Sequence, residues 1–230
     1  MFNSDTDLNK NTPSKEPSYT CEDRSLSERY LADLLSYSTA RNADAAACDL
    51  LSEHGSIDAV LARDADELSR SVGESAAILL KLLAYTGGRR IYDSFRFDRR
   101  HSDAEIANLL LAMMQGLSRE TVYMVSINER GAVVACDYIG EGTVNSTDVY
   151  PRRLVEYAIK RSAKEVFLAH NHPNGTARPS DDDMLATARM FSTLRASGIR
   201  MRAHAVVAGR EVRLMVPNEL TGEINVIDAF

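Results

Sequence analysis

The stretch LAHNHPNGTARPSDDDM, residues 168–184, decides how this chain is read. It holds two of the five histidines, His170 and His172, at the end of the apolar run EVFLAH (165–170). A loop rich in Pro and Gly follows, and SDDD then opens a helical pattern. Side chains two apart on an extended chain point the same way, so His170 and His172 present both imidazoles to one point while Asn171 faces away. Pro and Gly let the chain double back, and Asp183, in the first turn of the next helix, comes within reach of the histidines. Two neutral imidazoles and a carboxylate are ligands of the kind zinc accepts, with the fourth tetrahedral position left for water. Such a metal lowers the pKa of its water toward about 7 and polarises a carbonyl oxygen. A further group must then take the proton from the water and deliver it to a leaving group.

The same letters have a plainer reading. Ser180 is a good N-cap, and acids in the first turn suit the helix macrodipole. That accounts for Ser180 and all three aspartates, but leaves HxH at a strand end unexplained. The letters HNH are not those of an HNH nuclease, whose residues are spread along a ββα unit.

Outward from this stretch, the second half of the chain mixes helices and strands. HSDAEIANLLLAMMQGL reads as a helix with Ser102 as N-cap and Glu105 three positions on, a capping-box pattern. TVYMVSI (121–127) and AVVACDYIG (132–140) read as strands joined by the turn NERG. YPRRLVEYAIKRSA restarts a helix with Pro151 in its first turn. A long helix from SDDD and two more strands, RMRAHAVVAG and EVRLMV, complete the pattern. The order predicts an α+β or three-layer αβα domain over 103–230. Ahead of it, residues 25–93 predict a small bundle of short helices ending at glycines such as Gly55 and Gly73. Residues 94–102 read as a linker, and the polar, aperiodic residues 1–24 as a disordered tail.

Composition narrows the function classes. No apolar run approaches the roughly 18 residues of a membrane span, and MFNSDTDLNKNTPSKEPSYT lacks the apolar core of a signal peptide. Three cysteines, Cys21, Cys48 and Cys136, in unlike contexts suggest no disulfide framework, so a reducing cytoplasm is the expected compartment. A net charge of −6 argues against broad affinity for nucleic acid. GGRRIYDSFRFDRRHSD places five arginines within 89–100, as a local basic patch or as solvated charge.

His170-x-His172, seven residues, Ser180, two residues, Asp183 resembles the JAMM (MPN-plus) metalloprotease signature HxHx7SxxD without a gap. More narrowly, GTVNSTDVYPRRLVEYAIKRSAKEVFLAHNHPNG…PSDDD is similar to the bacterial RadC branch of that family. The likeness covers most of 103–215. It implies a cytidine-deaminase-like fold, a zinc ion held by His170, His172 and Asp183, and Ser180 as a donor to the oxyanion formed when water attacks a carbonyl. It also implies a catalytic glutamate at the start of the first strand of the domain, which LSRETVYMVSI matches with Glu120. Glu129 in the hairpin turn and Glu141 in IGEGTV are its rivals. A strand start can aim a base where a turn tip usually cannot.

This chain has YPRR at 150–153 where family members often read HPRE. It has Ala203 before His204 where they carry a DH pair, and His204 is expected to support the site without ligating. The N-terminal bundle resembles the helical domain of the family, whose end looks like a helix-hairpin-helix; RSVGES keeps only Gly73 of its GxG hairpin. The expected activity is hydrolysis of a peptide or isopeptide bond in an unidentified substrate, with weak DNA binding and no membrane partner. The alternative is a DNA-repair-associated binding protein whose zinc site is not used for proteolysis. A two-His-one-carboxylate iron oxygenase is disfavoured, because it usually orders its ligands HxD/E…H.

Overall fold

The structure, a computed structural model, describes residues 21–38, 42–142, 149–173 and 176–229. Five helices come first: α1 (Cys21–Ser36), α2 (Ala43–His54), α3 (Ile57–Ala62), α4 (Ala65–Val72) and α5 (Glu74–Ser94). Local capping sets their starts, since Asn42, Ser56 and Asp64 each accept backbone N–H groups of the turn they open. Gly73 ends α4 and precedes α5 at φ +89°, a left-handed conformation that suits glycine. Leu31, Leu35, Leu50, Val60, Leu68 and Leu80 gather these helices round one apolar cluster. Helix α1 already begins at Cys21, inside the segment read as a disordered tail; residues 1–20 lie outside the described residues.

The segment read as a linker is seated on the sheet. Arg99–Arg100 form the short strand β1, which pairs with Ala132 and Val133. Phe95 and Phe97 pack against an apolar cluster of the sheet, and Phe95 stacks on His101 at 4.2 Å. The alternation of phenylalanine with charge in FRFDRR is a strand pattern, masked by the arginines. Those arginines are largely engaged: Arg89 pairs with Asp93, Arg99 with Glu105, and Arg100 donates to the Arg130 carbonyl.

Helix α6 (Asp103–Met114) starts with the capping box of Ser102 and Glu105 that its sequence predicts. The order is then β2 (Thr121–Ile127), β3 (Ala132–Glu141), α7 (Val149–Lys160), β4 (Glu165–Asn171), α8 (Asp181–Ala196), β5 (Arg200–Ala208), β6 (Glu211–Pro217) and β7 (Ile224–Asp228). The last strand has no counterpart in the sequence pattern, because it is short and mostly exposed. The start of the RadC-like run, GTVNSTDV from Gly142, falls largely on 143–148, outside the described residues.

The seven strands form one mixed sheet in the order β1-β3-β2-β4-β5-β6-β7. Among the described residues only β4 and β5 run parallel, joined through α8 as a crossover needs. Alternate residues of β4 serve different clusters: Val166 and Leu168 pack with α7 and α8, Phe167 and Ala169 with α6. Strand β4 is thus covered on both sides. No helix among the described residues is long and apolar enough to cross a membrane.

The helical region meets the rest of the chain closely. A Cβ added at Gly88 of α5 would stand 2.4 Å from the Ala112 carbonyl oxygen of α6, whereas one at Gly87 would meet nothing within 4 Å. Lys81 donates to the carbonyls of Leu61, Arg63 and Gly116, tying α5 to the residues after α6. Gly88→Ala should therefore destabilise the chain by about 1–3 kcal/mol through overpacking, while Gly87→Ala should add roughly 0.5–1 kcal/mol through helix propensity. Urea unfolding of the two variants measures this, and equal effects would contradict the close α5–α6 contact.

Candidate metal centre

The site is built at the end of β4. His170 is its penultimate residue and fully buried; His172 lies just beyond, with its backbone N–H donated to the Val207 carbonyl of β5 at 2.8 Å. The chain therefore stays extended through His172, and both imidazoles fall on the α8 side of the sheet. Helix α8 brings the third group. Ser180 is its N-cap and Asp183 its third residue, joined by a capping box in which the Asp183 N–H donates to Ser180 Oγ and the Ser180 N–H to Asp183 Oδ2.

His170 Nε2 and His172 Nε2 are 3.1 Å apart; Asp183 Oδ1 lies 3.1 Å from the first, and Oδ2 3.4 Å from the second. Ligand atoms round a tetrahedral zinc, with bonds of about 2.05 Å, stand roughly 3.3–3.4 Å from one another. The spacing fits such an ion, and the three residues form a group able to hold a metal.

The outer contacts fix which atoms face inward. The Thr176 carbonyl, 2.9 Å from His172 Nδ1, can only accept, so Nδ1 carries a proton and Nε2, with a lone pair when the ring is neutral, is the nitrogen turned to the site. Thr187 has one hydroxyl proton, which it donates to the Asp183 carbonyl at 2.6 Å; the Met215 sulfur, at 3.5 Å, is the weaker acceptor. Thr187 Oγ1 must then accept from His204 Nδ1 at 2.7 Å, and His204 Nε2 from His170 Nδ1 at 2.9 Å. Every proton in this chain has one place, and His170 Nε2 is left with a lone pair toward His172 and Asp183. Three acceptors thus converge and require a positive charge among them.

A proton held between imidazole and carboxylate supplies such a charge, and the electrostatics favour it. The hydrogen bond to Asp183 raises the pKa of His172 against the opposing effect of burial, and the Glu120 carboxylate adds to the rise. Burial pushes the Asp183 carboxyl up, but hydrogen bonds from His170, His172 and Ser180 outweigh it and hold the group well below the usual carboxylate range. Burial, helped by its histidine neighbour, drives His204 well below the usual imidazole value, so it stays neutral and can serve as both donor and acceptor.

The three candidate glutamates are placed differently. Val122 of β2 faces His170 of β4, and Glu120 lies two residues before Val122, its carboxylate near enough to His172 to raise the pKa of that imidazole. Glu129 is at the exposed tip beyond Ile127, which pairs with Glu165, about 17 Å along the strand from the histidines. Glu141 pairs with Thr121 on β3, two strands from β4, and its carboxylate meets Arg119 at 3.5 Å. Ser180 Oγ donates to Asp183 Oδ2 at 2.6 Å, so its hydroxyl holds that carboxylate.

Two participants were not foreseen. Thr187 follows Asp183 by one helical turn on the buried face of α8, a spacing that could have flagged it. Asn171, expected to face away, does so, but its amide takes hold of the start of β2. His204 supports His170 from behind, as its sequence reading expects, and Ala203 beside it packs in the apolar core.

Residues 100–217 match the model of a family described as the RadC-like JAB domain. A UPF0758 protein of Caldanaerobacter subterraneus subsp. tengcongensis is 31% identical over 182 residues, covering 77% of this chain and 78% of its own. A UPF0758 protein of Stenotrophomonas maltophilia strain K279a is 32% identical over 179 residues, 75% and 76% of the two chains. One from Clostridium acetobutylicum is 28% identical over 161 residues, 69% and 70%. The α+β sheet with a His–His–Asp group at the end of its parallel pair is thus that of a JAB-domain protein. Within that class the chain belongs to the RadC family.

Breaking the proton chain should loosen the site. In Thr187→Val the hydroxyl is lost with little change of shape, His204 loses an acceptor, and His170 loses its fixed orientation. Zinc affinity, measured by competition with a chromophoric chelator, should fall about 10–100-fold, while Thr187→Ser retains it. Unchanged affinity in the valine variant would show that the chain does not orient His170.

Proposed function

We propose that this protein is a zinc-dependent hydrolase of peptide or isopeptide bonds, acting in the cytoplasm through a three-layer αβα domain of the JAMM type. The observation that carries the reading is the convergence of His170 Nε2, His172 Nε2 and the Asp183 carboxylate at 3.1–3.4 Å, with outer contacts that engage both Nδ1 atoms and turn both Nε2 atoms inward. His170, His172 and Asp183 would hold the ion. When bound, zinc supplies a water of lowered pKa and a Lewis acid for the carbonyl oxygen.

The residues of the chain do the rest. Glu120 accepts the proton of the attacking water as its oxygen adds to the carbonyl carbon. It then gives that proton to the departing nitrogen as the C–N bond breaks, leaving a carboxylate and an amine. Ser180 keeps Asp183 in place and, with its hydroxyl turned outward, becomes the oxyanion donor that the JAMM resemblance assigns to it. His204 and Thr187 hold His170 in the tautomer that ligates.

The elemental content of purified protein is the first test. About one zinc per chain is expected, and His172→Ala should lose it while most of the fold survives; a fully loaded variant would refute the ligand set. Peptide-library cleavage then identifies a substrate. On it, Glu120→Gln should lower turnover about 10²–10⁴-fold with zinc content unchanged, while Glu129→Gln and Glu141→Gln remain active. Loss of turnover in either control with an active Glu120→Gln would move the role elsewhere.

Duplex DNA should bind weakly and with little sequence preference. The net charge is −6, and Glu74 is the first residue of the helix that follows Gly73, where a phosphate would approach. A titration at about 150 mM salt should give a dissociation constant of a micromolar or above; one well below it would favour a DNA-binding role.

A further inference from the structure

The run His170-Asn171-His172 has a second face, turned away from the two imidazoles. Asn171 is 3% exposed, and its side-chain amide reaches across to the start of β2. Its Oδ1 accepts the Thr121 N–H at 2.8 Å, and its Nδ2 donates to the Arg119 carbonyl at 3.1 Å. Residues 119 and 121 are thus gripped by one planar group, with Glu120 between them. On the other side the Gly142 N–H donates to the carbonyl of Glu120 itself at 2.9 Å.

Register explains why a side chain is needed here. The β2–β4 ladder ends at Val122 and His170, because the chain beyond turns to β5, where the His172 N–H meets Val207. The next residues of β2 lose their backbone partners on that side just where Glu120 sits. The amide of Asn171 fills the gap as a surrogate strand. It requires one acceptor and one donor, about one peptide width apart, from a short side chain. Asparagine supplies both; aspartate offers only acceptors when ionised, and leucine neither.

We propose that Asn171 is a positioning residue for the proton-transfer step: it fixes Glu120 relative to His170 and His172. The same three-residue run then sets two metal ligands on one face and holds the base with the other. A displacement of one would carry the other with it, and the distance from base to metal is kept. This inference rests on the reading of Glu120 as the proton-transfer group.

The test uses the full chain loaded with Co²⁺ in place of zinc, because cobalt has a visible spectrum sensitive to its surroundings. Wild type, Glu120→Gln, Asn171→Leu, Asn171→Asp and the double variant Glu120→Gln/Asn171→Leu are compared. Cobalt stoichiometry, the pH midpoint of the visible spectrum and exchange of the Thr121 amide proton are measured for each. All are expected to bind about one cobalt. Exchange at Thr121 should quicken several-fold to about tenfold in Asn171→Leu, and Asn171→Asp, which keeps the acceptor, should change it less. Glu120→Gln should displace the spectral midpoint, Asn171→Leu should displace it in the same direction, and the double variant should go no further than Glu120→Gln. Asn171→Asp should show a smaller displacement, and it carries the test if the leucine variant does not fold.

A wild-type midpoint in both Asn171 variants, with faster exchange at Thr121 and a displaced Glu120→Gln, would reduce Asn171 to a strand cap and overturn the proposal. Additive displacement in the double variant would overturn it too, since Asn171 would then act by another route. A wild-type midpoint in Glu120→Gln would instead refute the role of Glu120, and absence of cobalt from the wild type would refute the metal site; either takes this proposal with it.

Discussion

Three hydrogen-bond acceptors, two imidazole nitrogens and a carboxylate, are brought within 3.1–3.4 Å of one another at the end of β4, and their mutual repulsion has to be borne by the rest of the fold. Polar contacts immediately around them contribute to that task. Thr176 takes the outer proton of His172, and the His204–Thr187 chain takes that of His170 and closes on the backbone of Asp183 itself. Two of the three converging groups are therefore linked through a hydrogen-bonded path as well as through space. In a core of this kind an unpaired polar atom is costly, and the path leaves none on His204 or Thr187 and satisfies Nδ1 of His170. A positive charge completes the arrangement.

The topology makes this affordable. Strand β4 has an antiparallel neighbour on one side and a parallel one on the other, so its C-terminal end must part from one of them when the chain leaves for α8. It parts from β2 and stays with β5, which keeps His172 extended and in line with His170. The parallel crossover delivers the N-terminus of α8 to the same end, where Asp183 meets the histidines. The vacancy beside β2 is filled by Asn171. The two histidines, Asp183, their supporting chain and Glu120 all lie where one strand changes partners, the place at which open α/β sheets commonly bind ligands.

Much of this was legible in the letters, for physical reasons that differ residue by residue. The i, i+2 spacing of His170 and His172 has one meaning on an extended chain, and the apolar run before them made the strand plain. Strands 121–127 and 165–170 could be read within a residue of their ends, because buried strands carry continuous apolar runs. The strand at Arg99–Arg100 was hidden by its charge: an edge strand needs few apolar residues, and Phe95 and Phe97 do their packing before it begins. β7, INVID at the other edge of the sheet, does carry β-branched residues; it escaped because five residues are too short a run to stand out. Thr187 and Asn171 escaped because their work depends on what lies across from them, and only tertiary structure sets Thr187 under His204 or Asn171 beside Arg119.

The two readings of SDDD turn out to describe one device. Ser180 and Asp183 form a capping box, the plain expectation for such a helix start, and that box is also what aims the carboxylate. Two hydrogen bonds, from the Ser180 N–H and hydroxyl, converge on Oδ2, so the Asp183 side chain is locked in one rotamer at the mouth of α8. The cap that stabilises the helix by about 1 kcal/mol thereby fixes the orientation of a group facing two histidines. An N-terminal helix turn is a favourable place for such a carboxylate in any case, since the macrodipole supports its negative charge. Local helix chemistry and site chemistry draw on the same atoms, and for that reason the pattern SxxD could serve either purpose when read alone, while HxH upstream of it has no part in a helix cap.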